Sequence, residues 1–372
     1  MELVCSYPVA THLAIDARDD MRYGALSVKI TYRIKRDGRV RIEREQTKPI
    51  LLEDETTEFG VVPRDDGAHE LPVFEVVFVG AAYAPGGRPS RGFEAALAVG
   101  PVARQIAVFA NRVWQGTGDD ARIVALDEVS RVPLAPRHAF GGTVAVAIDE
   151  KSVLPIFYPF NHLGQGFDPT TMIEGLAREM RMPTGFPRWD RTRRLPNLED
   201  PRERIRAWRD EPRPVFWSAL PMQSMQAMEQ AIGIDLRQQS SEALAAPDPD
   251  QVARGLALRA HPAWRIETPA AGAAVALRNL TPEGELDFAL PTVAVLADYH
   301  VGDRTGTLEV PPQRLVVYGE ERRFCVLYRR IFNFAGGRKQ TRTLRLRLVT
   351  GWPGANNGIG NGANGGMVGH AA

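Results

Sequence analysis

The segment 74–114 constrains the fold most strongly, because it contains three strand patterns separated by Gly/Pro turns. Residues 74–80 form an almost uninterrupted run of β-branched and aromatic residues, which is typical of a strand covered on both faces. Residues 93–99 alternate apolar residues with their neighbours, and residues 106–110 give a third pattern. We predict an antiparallel meander of these three strands as the nucleus of an all-β core. The segment carries no catalytic constellation and is interpreted as scaffold.

Alternating patterns on both sides of this segment extend the β prediction. Residues 25–34 alternate, with one face formed by Val28, Ile30, Tyr32 and Ile34. Asp37-Gly38 predicts a hairpin to a return strand at 40–42. Strand patterns return after Trp264, and at 343–348 leucines alternate with arginines, which predicts one dry face and one basic face.

Helical spacing appears between residues 168 and 262. Asp168-Pro169 supplies a helix cap and a preset first residue, followed by apolar residues at helical spacing: Met172, Ile173, Leu176 and Met180. A second start at Asp200 predicts a helix that carries Ile205 and Trp208. Further helices are predicted at 222–232 and 250–260. The methionines of the former indicate core packing, with an adaptable partner-binding face as the alternative.

Together these patterns predict a mainly β protein, α+β overall. Residues 1–160 and 264–350 form a β-sandwich-like antiparallel core, and whether it comprises one or two β subdomains stays open. Residues 168–262 form a helical or irregular, Arg-rich insertion. The Gly/Asn-rich tail at 351–372 has no apolar periodicity and is predicted to be disordered.

The insertion holds eleven arginines between Arg178 and Arg213, interleaved with tryptophans. Such a patch could grip phosphates or stack on bases. Acidic residues are interspersed, so local neutralisation is the simpler interpretation. A protein-facing patch is the second hypothesis, because Arg and Trp dominate interface hot spots. Its candidate partner-binding residues are Arg188, Trp189, Arg191, Arg193, Arg194 and Trp208.

Whole-chain charge gives no reason to expect nucleic-acid or membrane partners. Lys and Arg number 46 against 45 Asp and Glu, and no apolar run is long enough to span a bilayer. The N-terminal residues lack the pattern of a signal peptide, and two distant cysteines make no disulfide framework. We therefore expect a cytoplasmic location.

No catalytic, cofactor or metal motif is present. The seven histidines never form H-x-H or H-E-x-x-H, and G-x-S-x-G and phosphate-loop motifs are absent. Acidic residues at 53–58 could bind a cation, but a solvated loop is the preferred interpretation. The alternative to a binding protein is a hydrolase-like enzyme near the glycine loops at 138–168, where His138, His162 and Asp168 could converge.

Three ordered landmarks carry a family resemblance: Ala139-Phe140-Gly141-Gly142, Asn161-His162-Leu163-Gly164-Gln165-Gly166-Phe167, and Leu195-Pro196-Asn197-Leu198-Glu199-Asp200-Pro201. In their order and spacing they resemble bacterial domain-of-unknown-function family 2169, over roughly residues 1–332. The sequence departs from the family pattern at His162 and Gln165, where small residues or Arg are commoner. It departs again at Tyr328-Arg329, which replaces Trp-Arg. The motif residues are Phe140, Gly141, Gly142, Asn161, Gly164, Gly166, Phe167, Pro196, Asn197, Glu199, Asp200 and Pro201.

The resemblance implies a role in type VI secretion. Such proteins are expected to act as non-enzymatic adaptors or chaperones that bind a secreted effector and load it onto the spike or its PAAR-type tip. It implies no catalytic residue, no cofactor and no metal. For the motif residues themselves, the sequence predicts only that they shape loops.

Overall fold

A long strand that contains residues 25–34 lies within a seven-stranded sheet. The structure, a computed structural model, describes residues 1–18, 21–67, 69–116, 120–179, 186–189, 194–220, 258–335 and 342–350. The helix predicted at 222–232 and the tail at 351–372 lie outside these residues. With strands numbered along the chain, the sheet has the order β2 (Ala10–Arg18), β3 (Met21–Ile34), β26 (Arg323–Ala335), β25 (Pro312–Tyr318), β7 (Phe74–Val79), β20 (Arg265–Ile266), and β4 (Val40–Ile42) also pairs with β3.

One face of this sheet is apolar and packs against a second sheet. The predicted face of β3 is buried, and its residues are at most 3 % exposed. The facing sheet has the order β19 (Leu198–Glu199), β10 (Val102–Phe109), β9 (Gly92–Val99), β21 (Ala274–Arg278), β22 (Glu285–Ala289). Phe288 of this sheet stacks on Phe324 of the first, with ring centroids 5.0 Å apart. The predicted mainly β, sandwich-like core is therefore confirmed.

The opposite face of the seven-stranded sheet is polar, yet it is also buried. Lys29 of β3 donates to Asp65 at 2.6 Å and to the carbonyl of Pro49 at 3.0 Å. Arg329 of β26 donates to the carbonyls of Asp65 and His69. The loop around residues 49–71 thus covers this face through charged anchors. The acidic segment 53–58 takes part, because Asp54 forms an ion pair with Arg259 at 2.7 Å.

The predicted meander at 74–110 is wrong. β7 pairs in parallel with β25, whereas β9 and β10 pair with each other in the facing sheet. The turn after β7 carries the chain across the core, and the intervening β8 (Ala81–Tyr83) pairs with β13 (Arg131–Pro133). Gly/Pro punctuation marks where strands end, but it does not specify whether the next strand returns to the same sheet.

A four-stranded sheet confirms the Leu/Arg alternation. Its order is β1 (Glu2–Val4), β27 (Arg342–Thr350), β23 (Val293–Val301), β24 (Arg304–Val310). Leu344 and Leu346 are buried, whereas Arg345 and Arg347 are exposed. Arg347 donates to Asp298 at 2.5 Å on the polar face.

The insertion contains one confirmed helix, α1 (Thr170–Glu179). The helix predicted from Asp200 is wrong, because carboxylates take the backbone N–H groups that a helix would use. Glu199 accepts from the N–H of Ile205 at 3.3 Å, and Asp210 accepts from those of Arg206 and Ala207 at 2.8 Å. The predicted fourth helix lies outside the described residues except at its end, where residues 258–260 are not helical.

The remaining strands form small sheets. The three-stranded sheet has the order β16 (Val153–Phe157), β15 (Thr143–Ala147), β18 (Arg188–Trp189). The two-stranded pairs are β5 (Glu55–Thr57) with β6 (Gly60–Val62), β11 (Arg112–Gln115) with β12 (Arg122–Ala125), and β14 (Phe140–Gly141) with β17 (Gln165–Gly166).

Candidate functional site

The three sequence landmarks meet in one place. β14 and β17 pair in parallel, with Phe140 opposite Gln165 and Gly141 opposite Gly166. Ala139 bridges to Leu198, which brings the third landmark alongside the first. Segments far apart in the sequence therefore pack against one another, and we call the three landmarks together the landmark cluster.

Asn197 is the polar centre of the landmark cluster. Its side-chain oxygen lies 3.0 Å from Nδ1 of His138 and accepts from Nε2 of Gln165 at 2.8 Å. Its side-chain nitrogen donates to the carbonyl of Phe109 at 3.0 Å. Its backbone N–H donates to the carbonyl of His138, and its own carbonyl accepts from Phe109. One residue thus joins all three landmarks to β10 of the core.

Asn161 holds the first two landmarks together. Its fully buried side chain donates to the carbonyls of Pro136 at 2.8 Å and Phe140 at 3.0 Å. Its backbone carbonyl accepts from Gly142 at 2.9 Å. The side-chain amide therefore satisfies carbonyls that no strand partner reaches.

At two positions the backbone of another segment comes so close that only glycine fits. Gly141 has φ of +138°, and a Cβ there would overlap the carbonyl oxygen of Asn161. A Cβ on Gly164 would lie 2.6 Å from the carbonyl oxygen of Ala139. Only Gly leaves room for the crossing chains at these two positions.

The third landmark is anchored by a buried ion pair. Glu199 accepts from Arg112 of β11 at 2.5 Å, and the same guanidinium donates to the carbonyl of Pro196 at 2.7 Å. Burial lowers the pKa of Arg112, while Glu199 acts in the opposite direction. The guanidinium also lies 3.5 Å from the centre of the Phe109 ring.

Asp200 and Pro201 end this landmark in a turn. The Asp200 carboxylate accepts from the backbone and guanidinium of Arg202, and this lowers the pKa of Asp200. Glu203 donates its N–H to the carbonyl of Asp200 at 3.0 Å, which closes the turn around Pro201. These two motif residues therefore form a turn and make no contact described above with the first two landmarks.

Beside the landmark cluster lies a second, smaller apolar core. Tyr158 lies at its centre, with ring centroids 5.0 Å from Phe140, 5.5 Å from Phe160 and 5.3 Å from Phe167. The other buried members are Val146, Ile156, Ile173, Leu195 and Ile205. We call the described residues of 136–179 and 186–205 the motif module. The motif residues Phe140 and Phe167 contribute to its core.

One sheet face of the motif module is apolar and exposed. In β15 and β16, the residues Val144, Val146 and Ile156 point inward, so their neighbours point outward. We call this the outer face; it consists of Thr143, Ala145, Ala147, Val153, Pro155 and Phe157. Val153 is 63 % exposed and Phe157 is 53 % exposed. Clustered exposed apolar residues mark interaction sites more often than isolated ones do.

Sequence reasoning missed this face, although a signal was present. The run Val153-Leu154-Pro155-Ile156-Phe157 places a proline among apolar residues. A proline inside a strand pattern indicates an edge strand. Together with the apolar residues at 153 and 157, that signal indicates an unpaired apolar surface.

The structure places the predicted Arg/Trp residues in different surroundings. Arg188 is exposed in β18 opposite Ala147, beside the outer face, and Trp189 pairs with Val146. Arg194 is exposed and bridges to Val113. Arg191 and Arg193 lie outside the described residues. The remaining candidate is Trp208, which is half-buried beneath the guanidinium of Arg209.

Of the three residues of the enzyme alternative, His138 and Asp168 have side-chain partners, and His162 has a backbone contact. His138 lies between Asn197 and the side chain of Arg137, and burial lowers the pKa of His138. The carbonyl of His162 accepts from the Thr143 hydroxyl at 3.0 Å. Asp168 accepts from the N–H and hydroxyl of Thr170 and thereby caps α1.

The described residues hold no metal cluster, because no three of their His, Cys, Asp or Glu side chains are grouped to hold a metal ion. Two surface depressions lie away from the motif residues: one of about 340 Å³ is lined by β4 and the residues that follow it, and one of about 500 Å³ by the polar face of the four-stranded sheet.

Comparison with known families agrees with the motifs. Residues 19–329 match the family described as uncharacterized protein conserved in bacteria (DUF2169). The chain belongs to this family. Neither a curated protein nor a solved structure matches the chain. None of the helices in the part of the chain that the structure describes has the length and apolarity needed to cross a bilayer.

Proposed function

We propose that this protein is a non-enzymatic adaptor or chaperone of type VI secretion. It binds an effector protein and helps to load it onto the spike protein or its PAAR-type tip. Family membership supports this proposal through the role that the resemblance implies for the family.

The observation that carries the proposal is how the motif residues are used. They cross, cap and fill a small module, and none of them lines either of the two surface depressions described above. The motif module includes a sheet whose outer face exposes Val153 and Phe157 to solvent. A rigid support for an exposed apolar surface suits protein binding better than turnover.

Deletion of the gene in its own host tests the proposal. We expect that the deletion strain no longer kills competitor bacteria in a competition assay but still exports the spike protein. The reason is that an adaptor loads the effector and is not required for assembly of the secretion apparatus. Pull-down of the intact protein from the same host, followed by mass spectrometry, should recover an effector. Normal killing by the deletion strain would overturn the proposal.

Catalytic activity is checked separately. Restoring the gene with His138→Asn, which removes the buried histidine of the enzyme alternative, should restore killing. The Asn side-chain amide can replace the hydrogen bond of Nδ1 to Asn197. Loss of killing by a folded variant at normal abundance would favour the hydrolase-like alternative.

A further inference from the structure

We propose that a row of arginines on the seven-stranded sheet binds an acidic segment of a partner protein. The arginine row consists of Arg41 of β4, Arg33 of β3 and Arg323 of β26, and Arg44 lines the same surface depression as Arg33 and Arg41. The inference rests on the proposed function only in taking the partner to be a protein. It concerns a surface that is not part of the motif module, and it specifies the charge of the ligand.

Strand pairing sets the three arginines of the row directly opposite one another. Arg33 pairs with Arg41 on one side and with Arg323 on the other. Opposite residues of antiparallel strands have Cα atoms about 4.5–5.5 Å apart, and their side chains project from the same face of the sheet. Like charges in this arrangement are destabilising. The arginine row is therefore unfavourable unless anionic groups lie over it.

Glu43 is the buried carboxylate that faces the arginine row, and it already accepts three hydrogen bonds. One oxygen accepts from Nε of Arg33 at 3.1 Å and from Nε of Arg323 at 2.6 Å, and the other accepts from the Thr47 hydroxyl at 2.6 Å. Burial acts to raise the pKa of Glu43, but these hydrogen bonds outweigh it and lower the pKa. One charged carboxylate is thus shared by two guanidinium groups of the row.

Arg41 and Arg44 remain available to an anion from outside the protein. Both side chains are exposed, and neither forms an ion pair or a hydrogen bond within the part of the chain that the structure describes. Together with Ile42 and Glu45 they line the depression of about 340 Å³ beside β4. Glu45 is also exposed and forms no ion pair with either arginine among the described residues. Guanidinium groups recognise carboxylates through paired N–H donors.

The loop that carries Arg44 is held in place before any ligand binds. The side-chain oxygen of Gln46 accepts from the N–H of Thr31 at 2.8 Å, and its nitrogen donates to the carbonyl of Glu43 at 2.7 Å. The N–H of Glu43 donates to the carbonyl of Thr31 at 2.9 Å. These bonds fix the backbone on both sides of Arg44 against β3, so binding requires little ordering of the loop.

The surrounding sequence concentrates positive charge at this surface. Residues 33–48 contain seven Lys and Arg against three Asp and Glu, whereas the whole chain is almost neutral. A local excess of one sign attracts ligands of the opposite sign.

An acidic protein segment fits the surface better than a nucleic acid does. The described residues that line the depression include no aromatic ring on which a base could stack. Glu43 and Glu45 interrupt the positive surface that a continuous phosphate backbone would follow. A peptide can place its carboxylates over the arginines and a neutral residue beside Glu45.

Fluorescence anisotropy with the full-length protein tests the inference. The probe is a labelled twelve-residue peptide of alternating Glu and Ser, and the same peptide with Gln in place of Glu is its control. We expect the Glu peptide to bind and the Gln peptide not to bind. Arg41→Gln and Arg44→Gln should each weaken binding by roughly threefold to fivefold, and the double variant by about tenfold or more.

Arg88→Gln is the matched control for whole-chain charge. Arg88 is exposed in the turn between β8 and β9, and its substitution removes the same charge as either single variant. It should leave affinity for the Glu peptide nearly unchanged.

Thermal unfolding separates binding from a structural role. Arg41→Gln should not lower the unfolding midpoint, because it removes a like charge opposite Arg33 and breaks no contact among the described residues. A clear fall in the midpoint would assign Arg41 a structural role and overturn its place in the site.

Several binding results would also overturn the inference: equal affinity for the Glu and Gln peptides, no effect of the double variant, or an equal effect of Arg88→Gln. Inorganic phosphate and a labelled twelve-nucleotide oligothymidylate are measured in parallel. If either binds through Arg41 and Arg44 while the Glu peptide does not, the surface belongs to that ligand and not to an acidic protein segment.

Failure of this inference is distinguishable from failure of the proposed function. In the first case the Glu peptide does not bind, yet deletion of the gene still abolishes killing. In the second case the deletion strain kills normally, yet the Glu peptide still binds and depends on Arg41 and Arg44.

Discussion

Glu75 of β7 and Arg314 of β25 lie opposite each other in the seven-stranded sheet and form an ion pair with a 2.7 Å N···O distance. Their side chains are 0 % and 2 % exposed. The second carboxylate oxygen of Glu75 accepts from the N–H groups of Arg259 and Ala260. One carboxylate therefore joins two strands to the segment that follows the undescribed residues 221–257.

Glu75→Gln should destabilise the protein by about 3–5 kcal/mol, because it leaves the Arg314 guanidinium buried without its counter-charge. The free energy of unfolding is measured by urea titration. The double change Glu75→Gln with Arg314→Met should cost less than the single change, since no charge is left unpaired and the Gln oxygen can still accept from the N–H groups of Arg259 and Ala260. As a control, Arg202→Ala removes the exposed pair with Asp200 and should leave the free energy of unfolding nearly unchanged. A single change as mild as this control would contradict the role of the pair.

Gly141→Ala should destabilise the motif module by about 2 kcal/mol or more, because the residue has positive φ and the added Cβ overlaps the Asn161 carbonyl. Gly175→Ala is the matched control, since a Cβ in that part of α1 meets no atom within 4 Å. It should stabilise the protein by roughly 0.5–1 kcal/mol through helix propensity. Thermal unfolding of both variants gives the comparison. Equal effects would show that Gly141 is not constrained.

Asn197→Ala removes the side-chain hydrogen bonds to Gln165, His138 and Phe109. We expect a loss of about 2–3 kcal/mol, because buried partners are left unsatisfied. Hydrogen exchange should quicken in residues 138–142 and 161–167 before it does in β3 or β26. Uniform acceleration across the chain would mean that the motif module does not open as a unit.

Stability should fall as the pH is lowered from about 6.5 to about 4, and His261 is one cause. Removal of the ring from water lowers the pKa of His261 to about 4, although its hydrogen bond to the carbonyl of Pro214 acts in the opposite direction. The folded state therefore binds this proton less readily than the unfolded chain. The stabilisation is complete above the unfolded pKa and is lost as the pH falls towards 4. Its full size is up to about 3 kcal/mol.

His261→Asn isolates this contribution. The Asn side chain can still accept from the N–H of Ala263, as the histidine ring does at 3.2 Å. The variant should show a shallower pH dependence of unfolding between pH 4 and 6.5. His300→Gln, at an exposed position, should keep the slope of the unchanged protein. An unaltered slope in His261→Asn would assign the acid sensitivity to other groups.

Local pattern was sufficient wherever a residue's role depends on its own strand or helix. The alternation of β3 identified its core face, the Leu/Arg alternation identified the dry face of β27, and Asp168-Pro169 identified the start of α1. It failed where a side chain replaced a backbone partner. The carboxylates of Glu199 and Asp210 accept from N–H groups that the expected helix would use, and their positions depend on the fold around them.

The sequence by itself determined that the chain is mainly β, which faces of its long strands are apolar, and that its three landmarks are rich in Gly, Asn and Pro. Only the tertiary structure decided that β7 pairs in parallel with β25 and that the polar face of β3 is buried. It also decided that Asn197 joins the three landmarks and that Val153 and Phe157 are left facing solvent. The physical reason is the range of the interactions: periodicity records the contacts of neighbouring residues, whereas strand pairing, buried ion pairs and exposed faces depend on segments hundreds of residues apart.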